Sequence, residues 1–359
     1  MSDTLRLPVE QTYQHELDAL KAEDTGNKPY NWALSPQAVV TYLVGGETPS
    51  GVEISAKYIG QRRIIETAVA TLATDRALLL LGVPGTAKSW VSEHLSAAIC
   101  GCSTQVIQCT AGTDENQIRY GWNYAQLLAH GPSKAALVAT PLFRAMQAGN
   151  LCRLEELTRM GSDVQDTLIT VLSEKMLPIP ELNDAIFAQR GFNIIATANN
   201  RDKGVNELSS ALKRRFNVVV LPLPDSVEQE VAIINKRVAE MGKSLDLPVP
   251  KNTAAEIEKV VAIFRELRGG ETLDGKLTLK TTSGNLSTAE AIAVMVGGLS
   301  QANWFNQGQL SAAEISQNLL GAIVKDPVQD RAVLEEYLET VLKKRKGFED
   351  YYHHLNQVL

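Results

Sequence analysis

The segment Leu78–Ser89 constrains this chain most strongly, because an apolar run is followed by Gly-Val-Pro-Gly-Thr-Ala, a lysine and a hydroxyl. The apolar run predicts a buried strand and the residues after Ser89 predict a helix, so the loop lies between a strand and a helix N-terminus. Backbone N–H groups of such a loop point at anionic oxygens, which predicts a phosphate-binding site. The competing interpretation is a chance glycine-rich turn, and the flanking strand and helix count against it.

Two side chains of this loop have expected roles. Lys88 is expected to reach the β- and γ-phosphates of a nucleotide, and the Ser89 hydroxyl is expected to bind Mg²⁺. The strict pattern has glycine before the lysine, where this chain has Ala87. Alanine is compatible with the loop if it keeps a negative φ on entering the helix, so we expect a negative φ at Ala87.

The composition is typical of an ordinary globular protein of 359 residues, with 44% hydrophobic residues, 21% charged residues and a net charge of −6. This acidic balance disfavours nonspecific nucleic-acid binding, and the apolar runs are too short to cross a bilayer. The four cysteines lack zinc-site spacing, which favours reduced thiols. Because the N-terminal residues also lack an apolar signal segment, we expect a cytoplasmic protein.

Strands and helices alternate through the first two thirds of the chain, which predicts an α/β domain with a parallel sheet covered by helices. The predicted strands are Ala77–Val83, Gln105–Cys109, Asn150–Leu154, Phe192–Thr197 and Phe216–Leu221. The predicted helices between them are Lys88–Ile99, Thr140–Ala148 and Val164–Glu174. After Pro224 the pattern predicts helices alone, at Val227–Lys243, Thr253–Leu267, Ser287–Val296 and Ala312–Val324, followed by a single C-terminal helix.

This organisation predicts four parts along the chain. They are a polar, partly helical N-terminal extension (1–54), a nucleotide-binding α/β domain (55–225) with an insertion near 112–128, a helical lid domain (226–325) and a C-terminal helix (326–359).

Further polar residues lie at the ends of the later strands. A carboxylate at a strand tip can hold Mg²⁺ through water and the next can polarise an attacking water, so we assign Glu155 to the metal and Glu156 to the water. The alternative is a solvated strand end. Asn199 is placed to orient that water or touch the γ-phosphate, unless Asn199 and Asn200 simply begin a turn.

Arg214 and Arg215 belong to a basic cluster that precedes the last predicted strand. Such clusters are most often solvated faces. The sharper interpretation is an arginine finger supplied to a neighbouring subunit's phosphate.

Together these motifs resemble AAA+ ATPases, and within that class the MoxR-type branch, over roughly residues 55–300. The segments that carry the resemblance are the phosphate loop Gly82–Ser89 with Ala87, the Walker B end Glu155-Glu156, the sensor 1 position Asn199 and the arginine-finger box Arg214-Arg215-Phe216. The resemblance makes Arg215 the first choice for the finger, because it directly precedes Phe216 as in the family box. Gly112–Leu128 is similar to the helix-2 insert of this branch, and Leu177–Asp184 is similar to its hairpin before sensor 1.

The resemblance implies a P-loop AAA+ core with a parallel five-stranded sheet, a small all-helical lid, and ATP with Mg²⁺ as ligands. The implied metal residues are Ser89 and Glu155, and the implied catalytic residues are Glu156, Asn199, Arg214 and Arg215. The implied nucleotide contacts are Tyr58, Ile59, Gly60, Gly82, Pro84, Gly85, Thr86, Ala87, Lys88, Ser89 and Trp90.

The resemblance also implies a ring oligomer, mostly a hexamer, that acts as a chaperone or remodelling motor, often with a von Willebrand factor A domain partner. A nucleotide-gated assembly platform with weak hydrolysis and a metal-chelatase-like motor subunit are the alternatives. A nucleic-acid motor is disfavoured by the net charge of −6.

The chain departs from the family pattern at three places. Glu155 replaces the usual aspartate, so Glu155→Asp is expected to leave turnover equal or faster. Arg153 replaces an apolar residue and shares a strand face with Glu155, so we expect the two to pair. The sensor 2 arginine expected near 285–289 is absent from the sequence, where Lys280 is the nearest cation.

Overall fold

The computed structural model describes residue 4, residues 6–199 and residues 206–359. Contacts between residues divide the chain into two compact units. The first contains the residues up to Val83 together with Ala87–Pro222, and the second contains Leu223–Leu359 together with Pro84–Thr86. The predicted N-terminal extension therefore groups with the α/β unit, and residues 326–359 group with the helical unit.

The described strands all lie in the first unit. In chain order they are β1 (Gly46–Glu47), β2 (Glu53–Ile54), β3 (Ala77–Gly82), β4 (Val106–Gln108), β5 (Tyr120–Trp122), β6 (Leu137–Ala139), β7 (Leu151–Glu155), β8 (Met176–Ile179), β9 (Asp184–Phe187), β10 (Asn193–Asn199) and β11 (Phe216–Val220).

The central sheet of the described residues contains five parallel strands in the order β11-β3-β10-β7-β4. This arrangement confirms the predicted parallel five-stranded sheet, with strand ends within two residues of those expected. Asn199 is in register with Gly82 of β3, and Ala196 is in register with Leu154 of β7. The carboxyl ends of these strands therefore meet at one edge of the sheet, where ligands bind in open α/β folds.

Helices cover both faces of this sheet. Those of the first unit are α1 (Val9–Thr12), α2 (Gln14–Glu23), α3 (Pro36–Val44), α4 (Arg62–Leu72), α5 (Lys88–Cys100), α6 (Glu115–Ile118), α7 (Tyr124–His130), α8 (Pro141–Ala148), α9 (Ser162–Asp166), α10 (Leu168–Glu174) and α11 (Ser210–Lys213). Because side chains alternate along a strand, Leu78 and Leu80 of β3 enter one apolar core while Leu79 enters the core on the other face.

The predicted insertion is larger than the sequence indicated. It contains α6, β5 and α7, and β5 pairs antiparallel with β6, so the inserted hairpin runs on to Ala139. The predicted hairpin before Asn199 is the antiparallel pair β8 and β9. The short strand β6 was missed because a three-residue run is too short to show a two-residue period.

The second unit is helical, as expected, apart from an isolated bridge between Glu271 and Thr278 within the described residues. Its helices are α12 (Val227–Ser244), α13 (Thr253–Gly269), α14 (Thr288–Phe305), α15 (Ala312–Ile323), α16 (Gln329–Thr340) and α17 (Glu349–Val358). The prediction of one C-terminal helix was wrong. A 3-10 turn at Leu342–Lys344 and a left-handed Gly347, with φ of +87°, separate α16 from α17.

All four cysteines are free thiols. Cys109 and Cys152 are buried, whereas Cys100 and Cys102 are half-buried. Burial raises the pKa of Cys109 to about 12, and it also raises the pKa of Cys152. Both buried thiols are therefore neutral and pack as small apolar side chains.

A buried carboxylate on α13 forms hydrogen bonds with two residues of the C-terminal part of the helical unit, residues 326–359. Glu266 of α13 is fully buried and accepts hydrogen bonds from the Tyr337 hydroxyl at 2.6 Å, the Arg345 guanidinium at 2.6 Å and the Leu273 N–H at 2.8 Å. Burial of an ionised carboxylate is favourable only when such donors replace its water.

The substitution Tyr337→Phe is therefore expected to lower the free energy of unfolding of the helical unit by about 1–3 kcal/mol, because Glu266 loses one donor while it stays buried. Tyr352→Phe is the matched control, since its hydroxyl bonds the exposed Glu339 at 2.7 Å. This control should change stability by no more than about 0.5 kcal/mol. Urea unfolding followed by circular dichroism measures both, and equal losses would contradict the role of Glu266.

Candidate nucleotide-binding and hydrolysis site

The predicted phosphate loop connects β3 to α5, and its carbonyl oxygens accept hydrogen bonds from Lys88. The Lys88 side chain is buried, and its Nζ donates to the carbonyl oxygens of Gly82 at 3.1 Å and Val83 at 2.9 Å. Gly85 has a left-handed backbone with φ of +82°. The lysine thus lies inside the loop at the N-terminus of α5, which is the position needed to meet a phosphate.

The expected negative φ at Ala87 was wrong. Ala87 has φ of +61° and ψ of +24° and is the N-cap residue of α5. The chain enters α5 through a left-handed residue, which is why the strict pattern prefers glycine there. A residue with a Cβ carries a cost of about 1–2 kcal/mol in this conformation.

Glu155 lies at the end of β7 and is saturated with hydrogen-bond donors. One carboxylate oxygen accepts from the Ser92 hydroxyl at 2.5 Å and from Arg153 at 2.8 Å. The other accepts from the Ser89 hydroxyl at 2.6 Å and the Thr197 hydroxyl at 2.7 Å. A carboxylate offers about four lone-pair sites, so the protein fills the capacity of Glu155.

The expected pair between Arg153 and Glu155 is present. Burial alone would raise the pKa of Glu155, but the Arg153 guanidinium and the three hydroxyls outweigh burial and lower that pKa. The carboxylate is therefore held in its charged form.

This geometry bears on the prediction that Glu155→Asp leaves turnover equal or faster. Aspartate is shorter by one methylene, so its carboxylate would withdraw by about 1.5 Å from donors that now hold glutamate. The hydroxyls of Ser89 and Thr197 come from two different elements and cannot both follow it. The four hydrogen bonds to position 155 are formed with the glutamate side chain. The structure gives no reason to expect faster turnover from aspartate.

Glu156 follows directly and has a left-handed backbone, with φ of +60° and ψ of +44°. Its carboxylate accepts a hydrogen bond from the Asn199 side-chain amide at 3.0 Å and one from Arg159 at 3.3 Å. The structure therefore brings together Glu156 and Asn199, the two residues assigned to the attacking water. Asn200, which the turn interpretation requires, lies outside the described residues.

Two hydroxyls of this site were missed by the sequence analysis. Thr197 donates to the Glu155 carboxylate and accepts from the backbone N–H of Glu156 at 3.0 Å, so it contacts both acidic residues. Ser92 joins Glu155 to Arg153. Spacing could have found them, because Thr197 lies two residues before Asn199 on one strand face and Ser92 lies three residues after Ser89 on one helix face.

The two arginines of the basic cluster have different environments. Arg215 is half-buried, donates to Ala211 O at 2.7 Å and also bonds the Ser173 hydroxyl. Arg214 is exposed, and its backbone oxygen accepts from Arg76 at 2.8 Å. Arg214 is therefore the more exposed of the two side chains, and Arg215 is bonded within its own chain.

The implied nucleotide contacts Tyr58, Ile59 and Gly60 follow a residue that is bonded to the N-terminal helix α2. Tyr58 is buried, Ile59 is half-buried and Gly60 is exposed. The buried Lys57 pairs with Glu16 of α2, and its Nζ lies 4.2 Å from the centre of the Tyr42 ring. The indole N–H of Trp90 donates to Lys57 O at 2.9 Å, which connects this segment to α5 directly after the phosphate loop.

The residues at the loop fit a magnesium site. The Ser89 hydroxyl and the Glu155 carboxylate lie 2.6 Å apart at the start of α5. Both are oxygen ligands, which Mg²⁺ prefers, and Mg²⁺ ordinarily takes one or two protein ligands together with phosphate oxygens and waters. The positively charged Arg153 is the feature that an ordinary magnesium site does not have.

The helical unit has no arginine at the position expected for sensor 2. Helix α14 begins at Thr288 with a capping box formed by Ser287 and Glu290. Lys280, the cation singled out in the sequence, is exposed and forms an ion pair with Glu336 at 2.6 Å. That pair is solvated, so it contributes little to stability.

Sequence comparisons establish the family. Residues 77–216 match the family described as AAA domain (dynein-related subfamily), and residues 228–355 match the family described as YehL-like AAA+ ATPase C-terminal domain. The uncharacterized protein YehL of Escherichia coli (strain K12) is 41% identical over 339 residues, which cover 93% of this chain and 91% of that protein. The chain belongs to the YehL-like AAA+ ATPase family.

More distant similarities agree with this assignment. The uncharacterized protein SH1500 of Staphylococcus haemolyticus is 27% identical over 168 residues, covering 46% of this chain and 63% of that protein. The crystal structure of NtrX from Brucella abortus in complex with ADP superposes with a TM-score of 0.51 at 11% identity, covering 83% of this chain and 64% of NtrX. At that identity the likeness to NtrX shows the fold alone. Among the described helices, none is long and apolar enough to cross a membrane.

The left-handed Ala87 gives a direct test of the loop geometry. Ala87→Gly is expected to raise the free energy of unfolding by about 0.5–1 kcal/mol, because relief of the left-handed strain exceeds the extra flexibility of glycine in the unfolded chain. Gly101→Ala is the matched control at the other end of α5, where φ is +66° and an added Cβ meets open space. The control should lose about 1 kcal/mol. Thermal unfolding measures both, and destabilisation by Ala87→Gly would contradict the geometry.

Proposed function

We propose that this chain is a MoxR-type AAA+ ATPase that binds ATP with Mg²⁺ and hydrolyses it within a hexameric ring. The observation that carries the proposal is the meeting of Lys88, Glu155, Glu156 and Asn199 at one edge of the parallel sheet. Asn199 is in register with Gly82 at the start of the phosphate loop, and its amide lies 3.0 Å from the Glu156 carboxylate. These are the groups needed to bind phosphate, hold a metal and activate water.

In this mechanism Lys88 and the loop N–H groups bind the β- and γ-phosphates. Ser89 and Glu155 would hold Mg²⁺, which when bound neutralises charge on the phosphate oxygens. Glu156 accepts a proton from the attacking water, and the Asn199 amide keeps the Glu156 carboxylate in position. Arg214 of a neighbouring subunit supplies positive charge to the γ-phosphate.

Hydrolysis in such a ring is proposed to remodel client proteins in the cytoplasm, together with a partner that contains a von Willebrand factor A domain. The partner and the ring rest on the resemblance to the MoxR-type branch. The four free thiols support a reducing compartment. Movement of a helical unit in response to nucleotide is the general way in which such turnover does mechanical work.

A second candidate is a nucleotide-gated assembly platform that hydrolyses ATP slowly. The saturated Glu155 favours it, since four protein donors already occupy the carboxylate. The two candidates share nucleotide binding and differ in turnover. A turnover assay run beside a nucleotide-binding titration separates them.

Glu156→Gln is expected to keep ATP bound while hydrolysis falls by roughly 10²-fold or more, because the amide cannot accept the proton of the water. Lys88→Ala is the partner variant and is expected to abolish tight ATP binding, since the loop loses its buried cation. Titration with a fluorescent ATP analogue and release of phosphate measure the two effects. Tight binding in Lys88→Ala would contradict the phosphate loop. If the wild type hydrolyses ATP slowly and Glu156→Gln does not change that rate, the result would favour the nucleotide-gated assembly platform.

The arginine finger is tested by mixing subunits. Arg214→Ala is expected to reduce turnover by roughly 10³-fold and Lys88→Ala to lose it, whereas mixed rings should regain activity because intact sites meet intact fingers. Lys213→Ala is the matched control, since Lys213 is an exposed neighbouring cation, and it should keep wild-type turnover. Mass measurement establishes that the mixtures co-assemble. Co-assembled rings without recovery would refute a shared site, and a loss confined to Arg215→Ala would return the role to Arg215.

A further inference from the structure

Arg153 is a buried charged residue that the proposed mechanism does not use. It lies on β7 two residues before Glu155 and is 6% exposed. Its guanidinium donates to the Ser92 hydroxyl at 3.1 Å, Ser103 O at 2.9 Å and Ser89 O at 3.2 Å, in addition to Glu155. One side chain thus connects the start of α5 to the acidic strand end.

The bond to Ser89 is the informative one. The Ser89 hydroxyl is the group expected to bind Mg²⁺. The Arg153 guanidinium donates hydrogen bonds to the carbonyl oxygen of Ser89 and to the Glu155 carboxylate. A unit positive charge therefore lies beside both expected metal residues. The charges of Arg153 and Glu155 cancel, so the site presents less negative charge to a divalent cation than a lone carboxylate would.

Arg153 is one of four donors to Glu155, so the carboxylate keeps other partners when Arg153 is replaced. Three hydroxyls from Ser89, Ser92 and Thr197 also bond the carboxylate, and they would remain after Arg153 is replaced. An unbranched apolar side chain of similar length could fill the same space. Removing one partner of a buried ion pair costs about 3–5 kcal/mol when the other charge is left unpaired. The three hydroxyls that remain on Glu155 offset part of this cost in Arg153→Met.

We infer that Arg153 is a built-in counterion that weakens the coupling between Mg²⁺ and nucleotide binding, so that this site binds ATP with little dependence on the metal. The inference rests on the proposed function, because it concerns the same nucleotide site. Arg153 is a positioning residue in this account. It acts on the metal through Glu155 and Ser89 and does not touch the nucleotide.

The test measures the dissociation constant of a fluorescent ATP analogue in EDTA and in saturating Mg²⁺, and the ratio of the two is the coupling factor. In the wild type this factor is expected to be less than about tenfold. Arg153→Met removes the charge and should raise the factor about tenfold. Arg153→Lys keeps the charge and should resemble the wild type. Arg144→Met, at an exposed arginine that bonds Gln105 and Ala139, is the control and should change nothing.

Several results would overturn the inference. A wild-type coupling factor of a hundredfold or more contradicts it directly, without any variant. An unchanged factor in Arg153→Met contradicts it too, and equal changes in Arg153→Met and Arg153→Lys would show that shape matters and charge does not. If circular dichroism shows that Arg153→Met does not fold, Arg153→Gln serves as the neutral variant. Failure of the proposed function is distinct, because the wild type would then bind no ATP in either condition.

Discussion

The position of β10 between β3 and β7 is the constraint on which the site depends. Parallel pairing on both sides places the end of β10 beside the phosphate loop and beside the acidic strand end at once. Thr197 uses this position to bond Glu155 through its hydroxyl hydrogen and the Glu156 N–H through its oxygen. A shift of one residue in the register would turn Thr197 to the opposite face and leave both acids without this support.

Parts of this arrangement could be predicted from the sequence because they are local. Apolar runs and turn residues predicted the five strands to within two residues, and they placed Glu155, Glu156 and Asn199 at the ends of strands. The Arg153–Glu155 pair was predicted because residues two apart share a face of a strand. The family assignment followed from the joint spacing of motifs that are each weak alone.

Other features depend on contacts between distant segments of the chain, so they could not be predicted from the sequence. The four donors of Glu155 come from α5, β7 and β10, so the hydrogen-bond network around this carboxylate is visible only in three dimensions. Ala87 has a left-handed backbone because the loop requires it, against the preference of alanine. The break between α16 and α17 depends on the conformation of Gly347 within a charged run that is otherwise favourable to helix.

The left-handed backbone of Glu156 has a consequence for how this chain can evolve. Glycine and asparagine adopt that conformation most easily, whereas the proposed chemistry needs a carboxylate on a longer side chain. Strain at a single residue of this kind costs about 1–3 kcal/mol. Fold and chemistry therefore favour different residues at position 156. In a homologue that no longer hydrolyses nucleotide, replacement of Glu156 by glycine or asparagine would raise the stability of the fold. Such a protein would still bind nucleotide through its phosphate loop.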